Sequence, residues 1–134
     1  MIKPGVSDHI SYFPDLLPTL LDVAGFPEPI PKDVDGVSFA ATLRGQRDRQ
    51  KAAAFLFWEF AGYGGQQAVR MGDWKRVRQK LHKGKTAIEL YNLKEDIGEK
   101  HDLAAKHPEV VKRIETILKT ERTPSKLFPI KVLD

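Results

Sequence analysis

The spacing of apolar residues along the chain changes from a helical period near the start to a strand period in the middle. The first segment has apolar residues at helical spacing, which predicts an amphipathic helix. Its apolar stripe consists of Ile10, Phe13, Leu16, Leu17, Leu20, Leu21 and Ala24. Pro18 lies inside this stripe, so we expect either a kink or a late start of the helix. Gly25 follows the stripe directly and is typical of a helix end.

The middle of the chain has the composition of short strands separated by turns. The predicted strands cover residues 53–60, 66–71, 74–79 and 87–93. Four sequential strands with short connections favour an antiparallel meander. A last amphipathic helix, which starts at Pro108, supplies an apolar stripe that can cover one face of this sheet. We therefore predict an α+β fold, with the tail from Thr123 onward extended.

A polar, charged stretch at residues 44–51 separates the first helical segment from the strands. We place a boundary there, so that residues 1–50 form one region and residues 51–134 the other. The total of 134 residues fits one domain or one domain with a docking segment. No apolar run approaches the roughly 20 residues that a membrane span needs.

Few residues suggest catalysis or metal binding. The chain has no cysteine, which excludes a thiolate nucleophile and a thiolate metal site. Its four histidines lack the spacing of metal ligands. Asp33 and Asp35 could bind a hard cation, but two carboxylates in a proline-rich loop are more typical of turn formers. We therefore predict no catalytic residue and no metal site in this chain.

Positive charge is concentrated in one stretch. The chain carries a net charge of +4, and residues 66–85 contain seven basic residues against Asp73 alone. Such a stretch indicates either an anionic partner or a solvated strand face, and the second is the commoner case.

The predicted hairpin at Gly72-Asp73 gives this charge a specific position. With a two-residue turn, Arg70 and Lys75 are directly opposed, and like charges there are destabilising. Either the register differs, or the two cations share an anion or a partner carboxylate. Trp58 and Trp74 add flat apolar surfaces that can stack on sugar rings or pack in a core. The candidate substrate-binding residues are Arg70, Lys75 and Trp58.

Four motifs in sequence resemble those of the sulfatase family. They are D-L-L-P-T-L-L-D-V-A-G at 15–25, D-G-V-S-F at 35–39, A-V-R-M-G-D-W-K at 68–75, and E-L-Y-N-L at 89–93 with the acidic run at 96–104. Asn92, Ile97 and Asp102 depart from the family's last motif. Each motif alone is weak, but together they cover nearly the whole chain in the family's order.

The resemblance implies a parent enzyme with an alkaline-phosphatase-like fold. Such an enzyme uses a formylglycine, made from the first residue of a [CS]-x-P-x-R motif, and a calcium held by acidic residues. Neither that motif nor the metal-binding acidic segments occur here. By resemblance, residues 1–50 are the end of the large catalytic domain, and residues 51–134 are the small C-terminal subdomain. The implied parent is periplasmic or secreted, and the location of this chain is left unassigned.

Three functional interpretations follow. In the first, the chain is the C-terminal portion of an arylsulfatase-type enzyme, flanks the active-site cleft, and is inactive without the missing N-terminal catalytic domain. In the second, it is a free-standing module that binds polyanions such as sulfated glycans or nucleic acid. In the third, it is a structural support only. Under the first interpretation, we expect the first helix to leave an apolar face exposed or to bury it in an oligomer.

Overall fold

The computed structural model describes residues 2, 4–26, 28–31 and 33–134. The chain divides into two units, Met1–Ala53 and Ala54–Asp134, which are described separately. Among the described residues, no helix is long and apolar enough to cross a membrane.

The first unit is built around one short helix. A 3-10 turn, Phe13–Asp15, leads into helix α1, Leu16–Val23. Helix α2, Ala40–Leu43, and a 3-10 turn, Arg47–Arg49, follow after a loop. Of the two alternatives that Pro18 allowed, the structure has the late start. Pro18 is the third residue of α1. Because the first four N–H groups of a helix have no acceptor within the helix, the N–H that proline lacks costs α1 no hydrogen bond.

Two buried polar residues, one just before α1 and one within it, connect the helix to the following loop. Asp15 and Thr19 are 2% and 3% exposed, and both bind backbone amides of the loop that precedes α2. The Asp15 carboxylate accepts a hydrogen bond from the Val37 amide at 2.8 Å, and the Thr19 hydroxyl accepts one from the Phe39 amide at 3.0 Å. Both amides gain a partner, so this loop is held against α1 by polar contacts.

The glycine of the D-G-V-S-F motif is needed for this arrangement. Pro18 has no N–H to donate to the carbonyl of Pro14, four residues earlier. The backbone of Gly36 lies against that carbonyl, and a Cβ at residue 36 would lie 2.1 Å from its oxygen. Any side chain at this position would therefore push the loop away from the helix.

The apolar side of α1 faces outward. Phe13 is 83% exposed and Leu20 is 65% exposed. The exposed apolar stripe, as we call it here, consists of Ile10, Phe13, Leu16, Leu17, Leu20 and Val23. The expected exposure of the first helix is thus seen for most of the predicted stripe, although Ile10 and Phe13 precede the helix and Leu21 is half-buried.

The second unit contains the predicted sheet. Its strands are β1, Leu56–Phe60; β2, Gln66–Met71; β3, Trp74–Gln79; and β4, Glu89–Asn92. They form one antiparallel meander in the order β1-β2-β3-β4. The hairpin strands β2 and β3 have the predicted bounds, whereas β1 and β4 are shorter than predicted. The α+β fold is confirmed.

Helix α3, Pro108–Thr120, covers one face of this sheet. The buried core between them consists of Val69, Leu90, Ile114 and Leu118. Trp74 packs against this core, and its ring lies 4.7 Å from the ring of His107. Trp74 is therefore a core residue, as the commoner interpretation of a tryptophan suggests.

The C-terminal tail is not simply extended, contrary to the sequence prediction. Ile130 is fully buried, and its carbonyl accepts hydrogen bonds from Leu133 and Asp134 in a final turn. Arg122 binds both carboxylate oxygens of Glu59, at 2.8 and 3.1 Å, and Asp134 at 2.6 Å. A buried apolar residue and a two-pronged ion pair thus hold the tail on strand β1.

Candidate substrate-binding face

The three candidate residues lie on the same side of the sheet. Arg70 pairs with Lys75 across β2 and β3, and Trp58 pairs with Ala68 across β1 and β2. Residues directly paired across strands share a face, and faces alternate along each strand. Val69, next to Arg70, belongs to the core under α3. Arg70, Lys75 and Trp58 therefore lie on the opposite side, which we call the far face.

The hairpin has the simple register that the sequence suggested. Arg70 and Lys75 are direct partners, so a different register does not explain their proximity. The Lys75 ammonium donates to a carboxylate oxygen of Glu99. The Arg70 Nε donates to the carbonyl of Gly72 at 3.0 Å. A carboxylate of this chain therefore balances Lys75, while within the described residues Arg70 has no ion pair.

Glu99 was not singled out in the sequence, and a rigid turn positions it. Its φ is +52°, in the left-handed region that non-glycine residues seldom occupy. Asp96 holds this turn by accepting hydrogen bonds from the amides of Lys100 and His101, at 2.7 and 2.8 Å. The bond from the His101 amide is the main reason that the pKa of Asp96 lies below its ordinary value. Glu99 could have been found as the acidic residue that two opposed cations require.

Tyr91 borders the cation pair on strand β4. It is the partner of Lys75 across β3 and β4, and it is 8% exposed. Burial, followed by its hydrogen bond to Glu89 at 3.1 Å, raises the pKa of Tyr91 to about 12. Its hydroxyl is therefore neutral at physiological pH and donates to Glu89.

Trp58 remains a candidate contact residue, in contrast to Trp74. Trp58 is 39% exposed, and the neighbouring Phe60 on the same strand face is 56% exposed. Together with Gln66, Lys75 and Gln79, they line a groove of about 240 Å³. The groove joins the aromatic part of the far face to its charged part.

Two of the basic residues point away from the far face, which sequence reasoning missed. Arg76 is 1% exposed and lies under α3, where Arg76 and Arg78 share the carboxylate of Glu115 at 3.4 and 3.8 Å. Burial, and then the charge of Arg78, lowers the pKa of Arg76 to about 10, while Glu115 opposes that shift. These two arginines serve the sheet–helix contact, so a solvated strand face does not describe the whole basic stretch.

The described residues do not fit the cofactors of a sulfatase. They contain no group of three histidine, cysteine, aspartate or glutamate side chains that could hold a metal ion. The sequence lacks the [CS]-x-P-x-R motif from which a formylglycine is made. His82 contacts the carbonyl of Ala61 at 2.7 Å. On the far face the described residues place two cationic side chains, Arg70 and Lys75, and the partly exposed ring of Trp58.

The chain resembles known sulfatases over most of its length. The family model described as N-sulphoglucosamine sulphohydrolase, C-terminal, matches residues 3–124. An uncharacterized sulfatase of Schizosaccharomyces pombe is 31% identical over 125 residues, which is 85% of this chain and 22% of that protein. A Delta 4,5-hexuronate-2-O-sulfatase of Bacteroides thetaiotaomicron is 33% identical over 104 residues, which is 72% of this chain and 20% of that protein.

A solved structure shows the same fold. It is described as a complex with its substrate, D-glucosamine-2-N,6-O-disulfate. It aligns with a TM-score of 0.61 and 22% identity, over 80% of this chain and 23% of its own length. The chain thus spans about a fifth of the length of the curated relatives described above.

Proposed function

The chain belongs to the sulfatase family, in its N-sulphoglucosamine sulphohydrolase C-terminal group, and from this premise we propose that it flanks the active-site cleft of an arylsulfatase-type sulfuric ester hydrolase. In this proposal the far face of the second unit is turned toward the sulfated substrate. The observation that carries it is that Arg70, Lys75 and Trp58 share one sheet face, while α3 closes the other.

Arg70 is the group best suited to the sulfate. A guanidinium offers donors in a planar fork that can bind two oxygens of an anion. Within the described part of the chain, Arg70 is engaged through its Nε with the carbonyl of Gly72, so its terminal nitrogens can serve a ligand. Lys75 adds charge beside it, moderated by Glu99, and Trp58 adds an apolar surface. This arrangement supports binding of an anionic group next to a ring.

A sulfated sugar is the substrate class that we propose. The name of the relative from Bacteroides thetaiotaomicron states that it acts on a sulfated hexuronate. Sugar rings have apolar faces, which suit the exposed ring of Trp58. The choice of a sugar ester over another sulfate ester therefore rests on that relative together with the far face.

The nucleophile and calcium would come from the rest of the parent enzyme. Because the described residues fit neither group, the chain alone should have no turnover. Incubating the purified chain with an aryl sulfate and calcium tests this expectation. Turnover that copurifies with the chain would contradict it.

The first unit would complete the catalytic domain of the parent. We propose that residues 1–50 are the end of the alkaline-phosphatase-like domain, and that the exposed apolar stripe of α1 packs on the rest of that domain. The stripe is the supporting observation, because a helix normally buries its apolar side. In the isolated chain the stripe would favour self-association. Light scattering that shows a monomer at all concentrations would contradict that consequence.

The free-standing polyanion module is less well supported. It needs a continuous basic surface, but Arg76 and Arg78 are committed to Glu115 under α3. A strong, salt-dependent retention on heparin would revive that alternative.

The decisive experiment belongs in the full-length enzyme that carries this segment. Arg70→Ala and Lys75→Ala should each lower kcat/KM for the sulfated substrate by about tenfold or more, a loss of roughly 1.4 kcal/mol. Lys83→Ala, in an exposed turn outside the far face, is the matched control. If both far-face variants melt early but keep their kcat/KM at low temperature, the two residues are structural and the proposal fails.

A further inference from the structure

We infer that the far face also holds a subsite for an uncharged sugar ring, separate from its cations. The subsite is the amide–aromatic strip, which we define as Phe60, Gln66 and Gln79. The inference rests on the proposed function, because it assigns the neighbouring ring of the same sulfated substrate. It implies that the substrate is an oligosaccharide rather than a single sulfated sugar.

The strip is one continuous cross-strand row. Phe60 pairs with Gln66 across β1 and β2, and Gln66 pairs with Gln79 across β2 and β3. Gln66 and Arg70 are four positions apart on β2, which places the two rows about 13 Å apart at roughly 3.3 Å per residue. One sugar ring cannot reach both rows, so the strip would hold a second ring.

The chemistry of the strip matches a neutral sugar. Each glutamine amide offers two donors and one acceptor oxygen, which complement hydroxyl groups that donate and accept. Phe60 is 56% exposed and provides an apolar plane beside those amides. The ring of Tyr63 lies 5.9 Å from that of Phe60 and extends the aromatic surface. The row contains no charged residue, in contrast to the row of Arg70 and Lys75.

The groove over this face runs from the strip to Lys75, one member of the charged row. It is lined by Phe60, Gln66 and Gln79 at one end and by Lys75 and Glu99 at the other. Its volume of about 240 Å³ is below the range of about 300–1,000 Å³ that is usual for drug-sized ligands. It is therefore a shallow surface suited to one ring of a chain that continues past it.

Two probes that differ by one neutral sugar test the inference on the 134-residue chain. They are N-acetylglucosamine 6-sulfate and N-acetyllactosamine sulfated on the same N-acetylglucosamine oxygen. NMR titration should give the disaccharide a Kd about tenfold lower, since one added ring contact and hydrogen bond are worth roughly 1.4 kcal/mol.

Variants of the strip test whether these residues cause the higher affinity for the disaccharide. Phe60→Ala and Gln79→Ala should each reduce the ratio of the two affinities toward one and leave the monosaccharide affinity unchanged. Leu127→Ala removes an apolar side chain outside the strip that is still more exposed than Phe60, and it should keep the ratio. Circular dichroism of each variant checks that the fold is retained, and Gln66→Ala replaces any variant that unfolds.

The outcomes separate this inference from the proposed function. Equal affinities for the two probes, a gain that survives all three strip variants, or no binding of either probe would overturn the subsite. The last result would indicate a face covered by the rest of the parent. Arg70→Ala should weaken both probes alike. If Arg70→Ala changes neither probe's Kd while the strip variants still reduce the affinity ratio, the subsite is supported and the proposed sulfate contact is wrong.

Discussion

The two units of the chain differ in where their helices place apolar side chains. In the unit Ala54–Asp134, apolar residues such as Leu90 and Ile114 are fully buried between the sheet and α3. In the unit Met1–Ala53, Pro18 and Thr19 are the buried residues of α1, and Asp15 is buried just before it, while the apolar stripe is exposed. One unit has an apolar core between its sheet and its helix, and in the other Leu16, Leu17, Leu20 and Val23 of α1 are exposed.

This contrast concerns how much apolar surface each unit buries within itself. Burial of apolar area is the main source of stability in a small domain, at about 25 cal/mol per Å². The second unit obtains that stabilisation internally, whereas the first leaves much of its apolar surface in water. This exposure is what the proposal for the first unit requires, namely that its apolar stripe packs on the rest of a catalytic domain.

Truncating a leucine in each unit should give the largest difference between the two units in the free energy of unfolding. Leu90→Ala creates a cavity in the core of the second unit and should lower the free energy of unfolding by about 2–5 kcal/mol. Leu20→Ala, at a position that is 65% exposed, should change it by less than about 0.5 kcal/mol. Urea denaturation of both variants measures the difference. Equal losses would show that α1 has a buried partner.

The ion pairs of the two units should differ in the same direction. The Arg122 side chain is 8% exposed and binds Glu59 with both prongs, so Arg122→Ala should destabilise the second unit by about 3 kcal/mol. Arg44 binds Asp22 with 42% of its side chain exposed, and Arg44→Ala should have an effect of about 1 kcal/mol or less. Thermal unfolding at low and high salt measures both. A marked salt dependence of the Arg122 contribution would contradict its burial.

The polar contacts of α1 should be important locally. Thr19→Val keeps the shape of the side chain but leaves the Phe39 amide without its acceptor, a local loss of about 1–3 kcal/mol. Hydrogen exchange at residues 37–39 should therefore become faster while the sheet amides keep their protection. Thr120→Val, at an exposed hydroxyl of α3, is the control. Unchanged exchange at residue 39 would show that the loop is held by something else.

A pH titration should produce the smallest effect. Hydrogen bonds from Arg44 and then Ser38 hold the pKa of Asp22 below its ordinary value. Because the folded pKa is lower than the unfolded one, the stabilisation is present above the unfolded pKa, about 3.9, and disappears as the pH falls through the folded pKa. NMR titration of the Asp22 carboxyl should show the low midpoint. The midpoint should rise in Arg44→Ala, and an unchanged value would rule out this pairing.

The sequence predicted best where local rules decide the structure. The turn at Gly72-Asp73 and the alternation around it determine β2 and β3, and Pro108 marks the start of α3. It predicted less well where distant residues decide. Strand β1 begins later than predicted, and the tail follows Arg122, which binds Glu59, a residue 63 positions earlier.

The candidate site was predictable in its positions but not in its partners. Cross-strand pairing placed Arg70 opposite Lys75, which the structure confirms. That Lys75 meets Glu99 depends on a turn with a left-handed backbone 24 residues later, which spacing alone does not reveal. The orientation of Arg76 toward α3 depends on a register that the bare charge count ignores. Whether Arg70, Lys75 and Trp58 contact a substrate stays a prediction.

The exposed stripe of α1 also has a calorimetric consequence. The heat-capacity change of unfolding arises mainly from apolar surface that water reaches only after unfolding. Leu20 and its neighbours are already hydrated in the folded chain, so their release adds little to that change. A scanning calorimeter should therefore record a heat-capacity step smaller than the roughly 12–15 cal/mol/K per residue that 134 residues would suggest. Covering the stripe in the folded state would raise the heat-capacity change of unfolding toward the value expected for the chain length.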